Sequence, residues 1–68
     1  MSTTIANVCA YVAWGGAHGS PEYLAVARMV ADGLEESDVR RTIARAERLG
    51  IVDRSGDALS LHPAEATA

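Results

Sequence analysis

Apolar residues recur at helical spacing in three separate segments of the chain. In segment 3–14 five of them lie at offsets of three and four, which predicts an amphipathic helix with one apolar stripe. These residues are Ile5, Val8, Cys9, Val12 and Ala13. Thr3 or Thr4 can supply the N-cap oxygen, and the glycine-rich segment 15–19 that follows is predicted to be a loop.

A second helix is predicted for residues 21–32. Ser20 is a suitable N-cap, Pro21 suits the first helical position, and the Glu22 carboxylate favours the positive end of the helix dipole. Gly33 is a natural C-terminal stop. Apolar residues almost encircle this segment, so we expect the helix to pack between other elements.

The third predicted helix, 36–49, has one apolar side and one basic side. Its apolar residues follow at intervals of four, three and three, which predicts a buried face of Val39, Ile43, Ala46 and Leu49. Most of its arginines fall on the opposite side, and Gly50 closes the helix. Segment 51–61 predicts a hairpin around the turn residues 55–57, and the tail 63–68 is predicted to be frayed.

Length and charge narrow the classes of function. The 68 residues make one domain, 1–68, with a formal net charge of −3. Lysine is absent, and five of the six arginines lie between Arg40 and Arg54, where Glu47 and Asp53 leave a local balance of +3. No segment reaches the roughly 20 apolar residues of a membrane span, so we expect a cytoplasmic protein without membrane contact. The bias toward arginine, alanine and glycine is a hint of a bacterial or phage source.

The order helix, helix, turn, helix and hairpin resembles the winged helix-turn-helix family over residues 5–62. The residues that carry the resemblance are Gly33-Leu34 in the turn, Val39-x-x-x-Ile43 and Ala46-x-x-Leu49-Gly50-Ile51-Val52 through the third helix, and Arg54-x-Gly56-Asp57 in the hairpin. Bacterial regulators of this family have a similar run before a charged hairpin. The resemblance implies a mainly α fold with a small β-hairpin, a three-helix winged helix-turn-helix.

The resemblance also implies a small DNA-binding transcriptional regulator. In this family the third helix lies in the major groove and the hairpin, or wing, reaches the backbone or the minor groove. The matching positions are Ser37, Arg40, Arg41 and Arg45 on the helix and Arg54 in the wing. Arginine suits this role because its guanidinium can fork onto guanine or onto phosphate.

Tyr11 and Trp14 lie three positions apart, beside the apolar stripe of the first helix. They either complete the core or form an exposed patch for a homodimer or another partner. The second interpretation agrees with the family, since winged-helix regulators commonly dimerise through the first helix or through terminal extensions.

Acidic residues oppose DNA binding and keep a second hypothesis open. Glu35, Glu36 and Asp38 stand at the start of the third helix, and Asp57 adds a carboxylate to the wing. They fit a phage- or bacterial-encoded inhibitor of the anti-CRISPR kind, whose acidic surface binds a basic protein partner. Two further interpretations stay open: a merely solvated arginine face, and a winged-helix module of a larger assembly without DNA contact.

No enzyme activity, cofactor or metal is predicted. His18 and His62 have no metal-ligand spacing with each other or with Cys9. Segment 15–19 follows a helix, whereas the phosphate loops of nucleotide-binding proteins follow a strand. No Ser/His/Asp or Cys/His group is recognisable, and so short a chain rarely builds a closed catalytic pocket.

Overall fold

Three helices and three short strands form the part of the chain that the structure describes. In this computed structural model the described residues are 2–14 and 19–62, so most of the predicted loop 15–19, with His18, and the predicted frayed tail 63–68 lie outside them. The elements in chain order are α1 (Ile5–Ala13), β1 (Ser20–Pro21), α2 (Glu22–Ala31), α3 (Glu36–Arg48), β2 (Val52–Ser55) and β3 (Ala58–Leu61). The three predicted helices and the hairpin are confirmed, and the mixed α/β arrangement is compatible with a helix-turn-helix followed by a wing.

The core lies where the three helices meet the sheet. α1, α2 and α3 pack against one another, while β3 packs against α1 and β2 against α3. Burial of apolar side chains in this region is the main favourable contribution to folding. The buried apolar residues are Val8, Val12, Ala25, Val26, Met29, Leu34, Val39, Ile43, Ala46, Val52 and Leu59.

One residue of the predicted buried face of the third helix is exposed. The periodicity predicts a buried Leu49, but this residue is 58% exposed, because α3 ends at Arg48 and Leu49 is already the C-cap residue. The expectation that the second helix packs between other elements is confirmed, since α2 lies against α1, α3 and β1, although Tyr23 and Val30 are 66% and 40% exposed. α2 therefore buries one face only, made of Ala25, Val26 and Met29.

Local signals in the sequence define the helix ends. Thr4 is the N-cap of α1: its hydroxyl accepts the Asn7 N–H, and the Asn7 side chain accepts the Thr4 N–H. At the end of α3, Gly50 has a φ of +75°, and the N–H groups of Gly50 and of the next residue donate to carbonyls of the last turn. The same pair of bonds closes α2 at Gly33, which accounts for both predicted glycine stops.

The start of α2 differs from the prediction. Ser20 is not the N-cap: it is buried in β1 and pairs with Leu59 of β3, so the sheet has three strands in the order β1-β3-β2. Pro21 is the N-cap and Glu22 the first helical residue. Proline is tolerated in β1 because an edge strand leaves its missing N–H unneeded. The Glu22 N–H donates to the Asp57 carbonyl at 2.8 Å, so pairing with the hairpin anchors the start of α2.

Gly19, the residue before β1, lies close to β3. We therefore predict that Gly19→Ala destabilises the fold. Gly19 has a φ of +79°, and a Cβ there would stand 2.6 Å from the Leu59 carbonyl oxygen. We expect the free energy of unfolding to fall by roughly 2–4 kcal/mol, from left-handed backbone strain and overpacking together.

Gly50→Ala is the matched control for this experiment. Its φ is +75°, but nothing lies within 4 Å of the added Cβ, so only the backbone strain of roughly 1–2 kcal/mol is expected. Urea unfolding of both variants measures the difference. Equal losses would contradict the close approach at Gly19.

Candidate nucleic-acid interface

α3 presents one continuous face to solvent. Arg41, Ala44 and Arg48 follow at intervals of three and four, Ser37 precedes them by about one turn, and Arg45 lies beside them. All five are exposed, while the buried residues of α3 lie on the opposite side. We call these five residues the α3 outer face. Within the described part of the chain, no ion pair or hydrogen bond is recorded for the side chains of its three arginines.

Arg40 and Arg54 lie to one side of this face, in an ion-pair network. Arg54 of β2 places Nη1 2.8 Å from Glu22 Oε1, and its Nε and Nη2 each lie 2.9 Å from Glu47 Oε1. Arg40 donates from Nε to Glu36 Oε2 at 3.0 Å, and its Nη1 lies 3.9 Å from Glu22 Oε2. These five residues, the ion-pair network, join β2 and the start of α2 to α3.

The network changes what two of the predicted DNA contacts can do. Two guanidinium groups face three carboxylates, so the network carries a net charge of −1. Hydrogen bonds to Glu47 and Glu22 raise the pKa of Arg54 above its ordinary value. Arg40 and Arg54 would have to give up carboxylate partners to bind a phosphate, whereas Arg41 and Arg45 would not.

The four carboxylates of the predicted acidic surface have different surroundings. Asp38 Oδ2 accepts the Thr3 N–H at 2.7 Å, and Glu36 belongs to the ion-pair network. Glu35 Oε1 accepts the Ser37 hydroxyl at 2.6 Å. The fourth residue, Asp57, lies exposed in the hairpin turn, and its backbone carbonyl accepts the Glu22 N–H. The four carboxylates therefore do not form one uncommitted patch.

Arg48 is the arginine of the outer face that the predicted DNA contacts left out. It lies in the last turn of α3, seven residues after Arg41, and so projects from the same side of the helix. The spacing alone could have identified it. Its omission followed from matching the family's positions, which concentrate on the beginning of the third helix.

The side chains of Tyr11 and Trp14 lie in different environments. Tyr11 is half-buried against the core, and its hydroxyl donates to the Asp32 carboxylate, which raises the pKa of the Tyr11 phenol. Trp14 is 79% exposed, so the interpretation that it completes the core is wrong. The Arg28 guanidinium lies 5.6 Å from the centre of the Trp14 ring, a cation–π contact. The proposed dimer patch stays a prediction.

Other candidate chemistry is sparse in the described residues. His62 is exposed, with Nδ1 3.3 Å from Asp53 Oδ2. Over residues 2–14 and 19–62 no group of three or more His, Cys, Asp or Glu could hold a metal ion. Over the same ranges no helix has the length and apolar character needed to cross a membrane.

Comparison with known proteins adds no relative from which a role could be transferred. No family model, curated protein or solved structure matches the chain at significant similarity. The arrangement of side chains around α3 is therefore the basis for any functional proposal.

The ion-pair network predicts a modest, salt-dependent loss of stability for Arg54→Ala. The Arg54 side chain is 34% exposed, so solvent screens its two ion pairs and we expect a loss of about 1 kcal/mol at low salt. Arg48→Ala, which removes the same charge without breaking an ion pair, should stay within about 0.5 kcal/mol of the parent. Urea unfolding at low and high salt measures both variants, and a loss for Arg54→Ala no larger than for Arg48→Ala contradicts the network.

Proposed function

We propose that this chain is a small DNA-binding regulator that places α3 in the major groove. The observation that carries the proposal is the α3 outer face, where Arg41, Arg45 and Arg48 are exposed and have no carboxylate partner among the described residues. Arginines of this kind can neutralise phosphates or fork onto guanine without first breaking an internal ion pair.

The order of elements supports a winged helix-turn-helix as the framework of this proposal. A four-residue connection joins α2 to α3, and the β2–β3 hairpin follows α3. The second strand of this hairpin, β3, also pairs with β1. In that fold the second helix of the helix-turn-helix pair is the one that enters the groove. Here that helix is α3, which exposes arginine along three of its turns.

We propose a distribution of roles that differs from the one implied by the family pattern. Arg41 and Arg48 are proposed to face the DNA, and Ala44 between them leaves room for the helix to approach the groove closely. Arg40 and Arg54 are proposed to position α3 and the hairpin relative to each other, since both are held by carboxylates.

This proposal predicts salt-sensitive binding to duplex DNA. If the three arginines each neutralise one phosphate, log K should fall with log salt concentration with a slope of about −3, at roughly −0.9 per phosphate. Arg48→Ala should reduce the slope by about one. Arg28→Ala removes the same charge from α2 beside Trp14 and should leave the slope unchanged.

Fluorescence anisotropy on a labelled random duplex, over a range of salt concentrations, measures these slopes. Circular dichroism checks that each variant is folded. Absence of binding by the parent chain at low salt contradicts the proposal.

A protein partner is the second candidate function. It is favoured by the exposed carboxylates of Glu35 and Asp57 and by the net charge of −3. An acidic inhibitor of this kind would bind a basic protein and would leave duplex DNA unbound.

Charge reversal at Glu35 separates the two candidates. Glu35 stands at the N-cap of α3 without a side-chain capping bond, so Glu35→Lys should leave the helix intact. If α3 enters the groove, the added positive charge should strengthen duplex binding and steepen the salt slope by up to about one. Glu35→Gln, which only neutralises the charge, should have an intermediate effect. Unchanged DNA affinity in both variants would place the start of α3 away from the phosphates.

A further inference from the structure

A cleft of about 490 Å³ separates the first turn of α1 from α3. Arg41 and Arg45 line its α3 side, and Thr3, Thr4 and Ile5 line the opposite side. The cleft is continuous with the α3 outer face, because Arg41 and Arg45 belong to both. The cleft differs chemically from the rest of the outer face because the N-terminal end of α1 also lines it.

Several hydrogen-bond donors at the cleft or next to it have no acceptor within the part of the chain that the structure describes. Besides the two arginines, the N–H group of Ile5, which lines the cleft, and that of Ala6, the next residue of α1, have no hydrogen-bond partner among the described residues. The Thr3 hydroxyl is buried and also lacks a partner, and no other buried side-chain polar atom of the described residues does. A buried hydroxyl without a partner is uncommon in folded proteins, so it points to a missing ligand.

We propose that this cleft binds a phosphate group, supplied in the complex by the DNA backbone. The inference rests on the proposed function for the source of the phosphate and on the cleft itself for its chemistry. Arg41, Arg45 and the N-terminal end of α1, which is the positive end of its dipole, line one space, and oxyanions favour such surroundings. Phosphate bound there attaches α1 as well as α3 to the duplex, and so fixes the orientation of the domain.

Internal hydrogen bonds hold the two sides of the cleft together. Asp38 accepts the Thr3 N–H at 2.7 Å, and the Thr42 hydroxyl donates to the Asp38 carbonyl at 2.8 Å and to the Thr3 carbonyl at 3.4 Å. Among the described residues that line the cleft, Asp38 is the one carboxylate and is opposed by two arginines, so their balance is +1. By accepting the Thr3 N–H, the Asp38 carboxylate holds the segment before α1 against α3.

Inorganic phosphate is the probe for the cleft by itself. In ¹H–¹⁵N spectra recorded at constant ionic strength, replacing chloride with phosphate should shift the Ile5 and Ala6 amides in a saturable manner. Arg45→Gln should abolish these shifts. Arg48→Gln, which removes an arginine of the same helix outside the cleft, should retain them. Absence of a phosphate-specific shift in the parent chain overturns the proposed site.

A second pair of variants tests α1 without changing any arginine. Ala6→Glu places a carboxylate in the first turn of α1, where it favours the helix dipole but repels a bound phosphate. Ala13→Glu adds the same charge at the last residue of α1. Ala6→Glu should weaken both phosphate and duplex binding several-fold more than Ala13→Glu does, and equal effects would overturn the part assigned to α1.

Duplex binding then identifies the source of the phosphate. If the DNA backbone supplies it, Ala6→Glu and Arg45→Gln should each lower the salt slope by about one. Phosphate shifts with unchanged duplex slopes would overturn the DNA source. Phosphate shifts in a chain that binds no duplex would overturn the proposed function but leave the cleft as an oxyanion site.

Discussion

The position of β3 between β1 and β2 is the constraint on which the arrangement of the other elements depends. Leu59 pairs with Ser20 on one side and with Arg54 on the other, and its side chain is fully buried. One strand therefore holds the start of α2 and the hairpin in fixed register. A Cβ at position 19 would lie 2.6 Å from the Leu59 carbonyl oxygen, so only a glycine allows this approach without a clash.

That register determines which arginines are held in ion pairs and which can contact a ligand. With β2 held beside the start of α2, the Arg54 guanidinium reaches the carboxylates of Glu22 and Glu47 together. Arg40 completes the same network on α3. The positive charge of the chain is thus divided into arginines that hold elements together and arginines that face solvent. The functional proposals concern the second set.

The charge of the whole domain does not decide between DNA and a protein partner, because the charges are not evenly placed. Carboxylates at Glu36 and Asp38 are engaged by Arg40 and by the Thr3 N–H, which reduces their ability to repel a phosphate. The outer face of α3 and the cleft beside α1 keep positive charge, and they keep donors that have no acceptor among residues 2–14 and 19–62. A small acidic domain can therefore present one basic surface, although the sum of its charges is −3.

The elements that could be predicted from the sequence are those whose signals are local. Helical periodicity, the Thr4 cap and the glycine stops at 33 and 50 depend on residues a few positions apart, so the three helices and the hairpin were predictable. Features that depend on contacts between distant residues could not be predicted in this way. Strand β1 has two residues and no periodic pattern, and it exists because β3 lies beside it. Likewise, ion pairs between α2, α3 and β2 separate Arg40 and Arg54 from the arginines of the outer face, and no spacing along the chain encodes that partition.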